Sequence, residues 1–316
     1  MSEVNKREYN RNYGFWNEAE QAALSSSKVA IAGVGGDGFQ LGYKLAMNGV
    51  LNFSIADPEE FEVENSNRVF GATSSNNGRN KAEVFRDMVM DIRPNATIDL
   101  YSDGVTANNV EEFMHGADLL IDGSELRYLH IGTMLARTAR KNVTPNLFVM
   151  NIGFSGQATS FHPTRGKTFE DIMGIPKGAP LDEVAEMEVD FSRVLPYIPN
   201  YGDINTLNAV NEGASLPSIS QGVDIASAIG SSEAFFHLVS SAGNKRRQPT
   251  WAPKFRYMDA YNGESGIKRN ARLSHKLGLA TLVARSVMGM NPKASYGIED
   301  RQRRAYEFIE NLAQEL

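Results

Sequence analysis

Cysteine is absent from this chain of 316 residues. That absence excludes disulfides and thiolate metal sites, and it excludes any reaction that holds an acyl or sulfur group on a thiol of this polypeptide. Long apolar runs are missing too. None reaches the ~18 residues a membrane span needs, and the opening MSEVNKREYNRN is charged with no apolar core segment, so no membrane is involved and a cytoplasmic location is expected. Histidine is scarce, and the five at positions 115, 130, 162, 237 and 275 lack ligand spacing, so no zinc is expected. Nor is there an excess of positive charge. With 32 Lys and Arg against 38 Asp and Glu the net charge is -6, which speaks against nucleic acid as a partner. The one short basic run, Lys245, Arg246 and Arg247, reads as a solvated loop. What remains is a chain with 41% apolar residues, long enough for a sizeable core and free of repeats.

Its organising stretch is residues 28–68. An apolar strand (28–35) runs into the turn G-V-G-G-D-G, a helix (36–48) comes next, and a second strand (51–57) ends in Asp57. A polar loop leads to an amphipathic helix from Lys81, with Ala82, Phe85, Met88, Val89 and Ile92 on one face, closed by Pro94. Strands at 97–101, 117–122 and 147–152 alternate with helical segments at 110–113 and 126–141. A helix over 9–27 precedes them all. The alternation predicts an α/β fold, a doubly wound and mostly parallel Rossmann-like sheet. Its second half differs. A short antiparallel strand (156–161) precedes a long Pro- and Gly-rich excursion (164–215), helical near 182–187, then a helix (216–240), a strand (254–261) and two C-terminal helices (273–288 and 299–316). The expected organisation is an N-terminal docking segment (1–27), a nucleotide core (28–163), a crossover loop (164–215), and a remainder (216–316) that belongs to the same domain.

Gly33, Gly35, Gly36 and Gly38 let a backbone approach a phosphate, and the next helix presents free N–H groups and the positive end of its dipole. Asp57 is placed to accept hydrogen bonds from ribose hydroxyls. These features alone do not choose between a dinucleotide dehydrogenase and a nucleotide transferase. The loop beyond Asp57 does. It carries Glu59, Asn65, Asn67, Arg68, Gly78 and Lys81, and two cations beside a nucleotide suit a triphosphate, whose departing pyrophosphate gathers negative charge. Seen singly, Arg68 reads as a surface ion-pair residue and Lys81 as a solvent residue at a helix start. His162 reads as a hydrogen-bonded structural histidine.

In combination, Tyr9-x-Arg11, G-x-G-G-x-G at 33–38, Asp57, Asn65-x-x-Arg68 and Gly78-x-x-Lys81 resemble the ThiF/MoeB/ubiquitin-activating superfamily, which adenylates carboxylates with ATP. The resemblance implies an ATP site in which residues 33–38 lie under the nucleotide, Asp57 holds the ribose, Asn65, Arg68 and Lys81 meet the phosphates, and Glu59 is a further nucleotide-binding residue. It implies magnesium held where the family has an aspartate after strand four. Here IDGSE puts Glu125 at that position, with Asp122 three residues before it. It further implies that Arg11 crosses a homodimer into the partner's site. The family's R-Q pair is Arg68-Val69 here, and its catalytic cysteine and zinc-binding cysteines are absent. The reaction so implied is ATP- and Mg2+-dependent adenylation of a carboxylate, on a peptide or ubiquitin-like protein, with residues 164–215 as acceptor clamp and no enzyme thioester. Three rivals stay open: a tRNA-modifying dehydratase of the same superfamily, a non-catalytic scaffold subunit, and an NAD-dependent oxidoreductase, for which no hydride-handling residues are found.

Overall fold

The computed structural model describes residues 7–190, 197–204, 217–243, 245–270 and 272–291, with the backbone alone at 272–275. The described elements run, in chain order, α1 (Glu18–Ser26), β1 (Lys28–Ala32), α2 (Gly36–Met47), β2 (Asn52–Ala56), α3 (Lys81–Ile92), β3 (Thr97–Tyr101), α4 (Val110–Phe113), β4 (Leu119–Asp122) and α5 (Leu129–Lys141). They continue with β5 (Asn146–Ile152), β6 (Ser155–Phe161), α6 (Phe169–Met173), α7 (Leu181–Ala185), α8 (Ser220–Leu238), β7 (Lys254–Asp259), β8 (Glu264–Arg269) and α9 (Arg272–Val287). All eight strands join one sheet in the order β3-β2-β1-β4-β5-β6-β7-β8. The pairs from β3 to β5 are parallel, and those from β5 to β8 antiparallel. The expected mostly parallel sheet with an antiparallel extension is the observed fold.

Strand alternation decides which helices cover which face. Val29 and Ile31 of β1, Phe53 and Ile55 of β2, and Leu147 and Val149 of β5 pack with Phe39 and Leu41 of α2, Phe85 of α3 and Ala226 of α8. Ala30 and Ala32 face the other way, onto Phe113 of α4 and Leu135 of α5. Farther along that second face, Phe148, Met150 and Phe161 meet Phe169, Met173 and Val184 of α6 and α7. The excursion read as a long loop therefore supplies core in its described part. It is also pinned at Tyr197, whose Oη donates to buried Asp259 at 2.6 Å and whose amide donates to Gln157 Oε1 at 3.1 Å.

Helix α8 is the mainstay of the antiparallel half. It lies so close to β6 that a Cβ on Gly156 would stand 2.3 Å from the Ala226 amide nitrogen. Its fully buried Glu233 accepts from Arg247 Nη2 at 2.7 Å, Arg256 Nε at 3.1 Å and the Thr250 amide at 2.7 Å. Arg246 meanwhile holds buried Glu20 of α1 at 2.6 Å. The basic run at 245–247 is thus not a solvated loop: two of its three cations compensate buried carboxylates, which repays desolvation only because every partner is in place.

Two other readings change. Helix α1 starts at Glu18 rather than near Tyr9, because Asn17 and Glu20 form a capping box that fixes the first turn there. Strand β8 had no sequence signal, since its residues Glu264–Arg269 are mostly exposed and gain order only by pairing with β7. The helix expected at 299–316 lies outside the described residues. Glu233→Ala is predicted to destabilise the chain by about 3 kcal/mol in denaturant unfolding, by leaving Arg247 and Arg256 without their shared anion.

Candidate active site

The site is built at the carboxyl ends of the parallel strands. Gly33 has φ +89°, and a Cβ there would lie 2.4 Å from the Gly123 carbonyl oxygen, so β1 and β4 can close on each other only with glycine present. A Cβ on Gly38 would reach the Gly33 carbonyl oxygen, and one on Gly36 would press on Val223 of α8. Three of the four glycines thus answer to the protein's own packing. Gly35 is different: among the described residues nothing lies within 4 Å of its Cβ position, and as N-cap of α2 it offers no side-chain acceptor to the first-turn N–H groups. Open space above uncapped amides at a positive helix end is a receptor for an anion.

Asp57, buried at the end of β2, locks the turn to the loop beyond it. Its Oδ2 accepts from the Val34 amide at 2.8 Å and its Oδ1 from the Glu59 amide at 2.9 Å. Burial nonetheless raises its pKa to about 6, against the pull of these bonds and of Lys81. Asn80 caps α3 by accepting from the Ala82 and Glu83 amides, and it donates to the carbonyls of Asp57 and Ser102. This fastens the start of α3 to the ends of β2 and β3 and sets the position of Lys81, which is 5% exposed and paired with Glu59. Sequence reading passed over Asn80, although an Asn before a helical run is a recognisable N-cap signal.

Asn65 and Arg68 belong to the next loop. Asn65 is buried and spends its Oδ1 on the Glu62 amide at 3.1 Å, shaping the loop from within. Val69 enters the main core. Half-buried Arg68 donates to the Glu64 carbonyl and to Asn67 Oδ1, each at 2.9 Å, and acts electrostatically on Asp37 in the glycine turn. Asp37 in turn accepts from Asn151 at the end of β5, Asn151 accepts from Ser218 Oγ at 2.8 Å, and the Ser218 carbonyl accepts from Asn67 at 3.2 Å. Four segments distant in sequence thus form a polar rim around the turn. Asp37, Asn151 and Ser218 were not singled out from sequence; Asp37 carries the visible signal, an acid inside an anion-binding motif.

The remaining predicted residues lie at the edges of this arrangement. Asp122 ends β4 with no exposure; its Oδ1 accepts from Ser124 Oγ at 2.6 Å, while its Oδ2 has no hydrogen-bond partner among the described residues, and burial raises the pKa to about 6. Exposed Glu125 pairs with Arg127 at 2.5 Å. Among the described residues no three or more acids or histidines come together as a metal cluster. Arg11 is exposed and forms no ion pair among the described residues. His162 accepts from the Thr164 amide at 3.2 Å and packs on Trp251, a structural arrangement.

Residues 9–286 match the ThiF family, the span that holds both the turn and its polar rim. The chain belongs to the ThiF family. In sequence this ThiF family chain is similar to the tRNA threonylcarbamoyladenosine dehydratase of Haemophilus influenzae, 26% identical over 179 residues that cover 54% of this chain and 64% of that protein. It is similar to the protein of that name from Bacillus subtilis as well, 31% identical over 103 residues, 32% of this chain and 41% of that protein. Each match spans less than two thirds of the relative. In fold it is similar to E. coli MccB solved with ATP, with a TM-score of 0.64 and 15% identity over 86% of this chain and 74% of that one. It is also similar to PaaA, with a TM-score of 0.62 and 14% identity over 85% and 75%. Among the described residues no helix is long and apolar enough to cross a membrane.

The raised acid at Asp122 has a measurable consequence. Its folded pKa, about 6, lies above the usual ~3.9, so its contribution to stability is full below about pH 4 and declines as pH rises through 6. Asp122→Asn keeps the acceptor for Ser124 and is predicted to be more stable than the parent by about 2 kcal/mol near pH 8, with no advantage near pH 4. Denaturant unfolding at the two pH values reads this difference.

Proposed function

We propose that this ThiF family chain binds ATP with Mg2+ and adenylates a substrate carboxylate without an enzyme thiol intermediate. The observation that carries this reading is the convergence of an open glycine amide at a helix end, a carboxylate beside it on β2, and two cations, Arg68 and Lys81, at one end of the sheet. Asp57 has both oxygens occupied by one amide each, which leaves further lone pairs for ribose hydroxyls. Lys81 exchanges Glu59 for phosphate, and Arg68 turns from the loop carbonyl to the same anion. The carboxylate oxygen attacks the α-phosphorus, the bond to the bridging oxygen breaks, and pyrophosphate leaves with the electron pair. The protein's part is positioning and charge balance. Asn65 holds the loop that presents Arg68.

The donor chemistry of Asp122 and Glu125 suits a hard divalent cation, and the unpartnered Asp122 Oδ2 is an orphaned acceptor of the kind such a site uses. Glu125, freed from Arg127, would hold Mg2+, which supplies charge neutralisation to the phosphates. Arg11 is exposed without an ion-pair partner among the described residues, which supports a homodimer in which Arg11 of the partner subunit completes the cation set. The acceptor is a peptide or ubiquitin-like protein, taken up by the crossover segment that Tyr197 and Tyr201 tie to Asp259. In support, solved structures of the fold-similar MccB hold ATP in one case and N-formylated MccA in another.

The relatives named as tRNA dehydratases favour a second reading, adenylation on tRNA, and the net charge of -6 weighs against it. A mobility shift with tRNA at low salt separates the two. The primary test is ATP–pyrophosphate exchange against a panel of peptides, ubiquitin-like proteins and small acids. Arg68→Ala is expected to lower the exchange rate by about 100-fold or more, and a rate equal to the parent's would remove the adenylation reading.

A further inference from the structure

The turn built to receive an anion contains an acid. Asp37 is the second residue of α2, inside G-V-G-G-D-G and next to the amides that the proposed triphosphate would use. Its surroundings hold it without neutralising it. Asn151 Nδ2 donates to both carboxylate oxygens, at 3.0 and 2.9 Å, and Ser218 fixes Asn151 from behind. No ion pair to Asp37 forms among the described residues, and Arg68 on the facing loop is the charged group that acts on it. The other titratable groups on the elements packed around it are engaged elsewhere. Lys44 of α2 is bound to Gln40 and Ser227, with Asp224 of α8 beside it. Asp57 is bound to Val34 on the β2 side of the turn, opposite the β5 side from which Asn151 comes, and Asp122 to Ser124.

We propose that Asp37 is a nucleotide-binding residue that acts in its protonated form, donating to a phosphate oxygen, so that each triphosphate entering the site brings one proton into the protein. This rests on the nucleotide reading above and adds a residue to it. Magnitudes favour the proton over the alternative of two anions side by side. Burial has already raised Asp37 to about 7, with Asn151 and Arg68 only partly restoring the charged form. Protonating such a group near pH 8 weakens binding by roughly tenfold, whereas an ionised carboxylate about 4 Å from a phosphate oxygen weakens it by well over a hundredfold at the effective dielectric of a protein surface. Once pyrophosphate has left, the charge that held the proton is gone, and Asp37 releases it to solvent and remains held by Asn151 as the carboxylate.

Linkage sets the sign. Affinity for ATP–Mg is flat below about pH 7 and falls by roughly tenfold per unit above it, because the free protein must then take up the proton. Asp37→Asn is the neutral isostere with a donor already in place. Titration calorimetry with ATP–Mg, in two buffers of different ionisation enthalpy, gives both affinity and protons exchanged. Near pH 8 the parent is expected to take up close to one proton per ATP more than the variant, and the variant to bind about tenfold tighter, with the two equal within about twofold near pH 6. Asp57 and Asp122 are present in both proteins, so the difference isolates Asp37. A circular dichroism melt establishes that the variant is folded; if it is not, the parent's proton count decides alone, and no uptake above about pH 7 overturns the inference. An unchanged pH slope in the variant overturns the inference and leaves the nucleotide reading intact. Failure of both proteins to bind ATP–Mg at any pH overturns the nucleotide reading, and the role of Asp37 with it.

Discussion

One carboxylate holds the candidate site in register. Asp57 accepts from the amide of Val34 in the glycine turn and from that of Glu59 in the loop carrying the cations, so two backbone segments that share no strand are set against each other through a single side chain. Asn80 extends the linkage by donating to the Asp57 carbonyl while capping α3. These side-chain bonds reinforce backbone ones, from the Gly33 amide to the Ala56 carbonyl and from the Lys81 amide to the Glu59 carbonyl, and together they refer the turn, the loop and Lys81 to one another.

The cost of this arrangement falls on the acids. Asp37, Asp57 and Asp122 all lie at the carboxyl end of the sheet, and burial raises each of them well above the usual carboxylate range. A chain selected for stability alone would have amides or apolar groups there. The core on either side of the sheet carries the burden, with Phe39, Phe53, Phe85 and Phe113 fully buried.

Much of this was legible in the sequence, for definite reasons. The inner parallel strands β1, β4 and β5 announced themselves because they are largely buried on both faces and read as apolar runs, while the partly exposed edge strand β3 and helix α4 fall where their patterns predicted. The glycines marked the turn, but only Gly35 opens to space; that Gly33 and Gly38 serve β4 and the turn itself is a contact between segments far apart or folded back, which spacing does not encode. The same limit hid the rim. Asn151 becomes a partner of Asp37, and Ser218 of Asn151, only after β5 and α8 have been brought beside α2, and the pairing of Arg246 with Glu20 spans over two hundred residues. Strand β8, polar and short, was invisible because its order comes from its neighbour.

The sheet ends in two unlike borders, and both are defended. At one, Asp99 of β3 reaches back to Lys28 of β1; at the other, exposed β8 carries Glu264 beside Lys268, with Arg269 next along the strand. Charges on a terminal strand make continuation of the sheet by a foreign strand costly. Both borders thereby resist strand-to-strand growth, the route that leads to open-ended polymers.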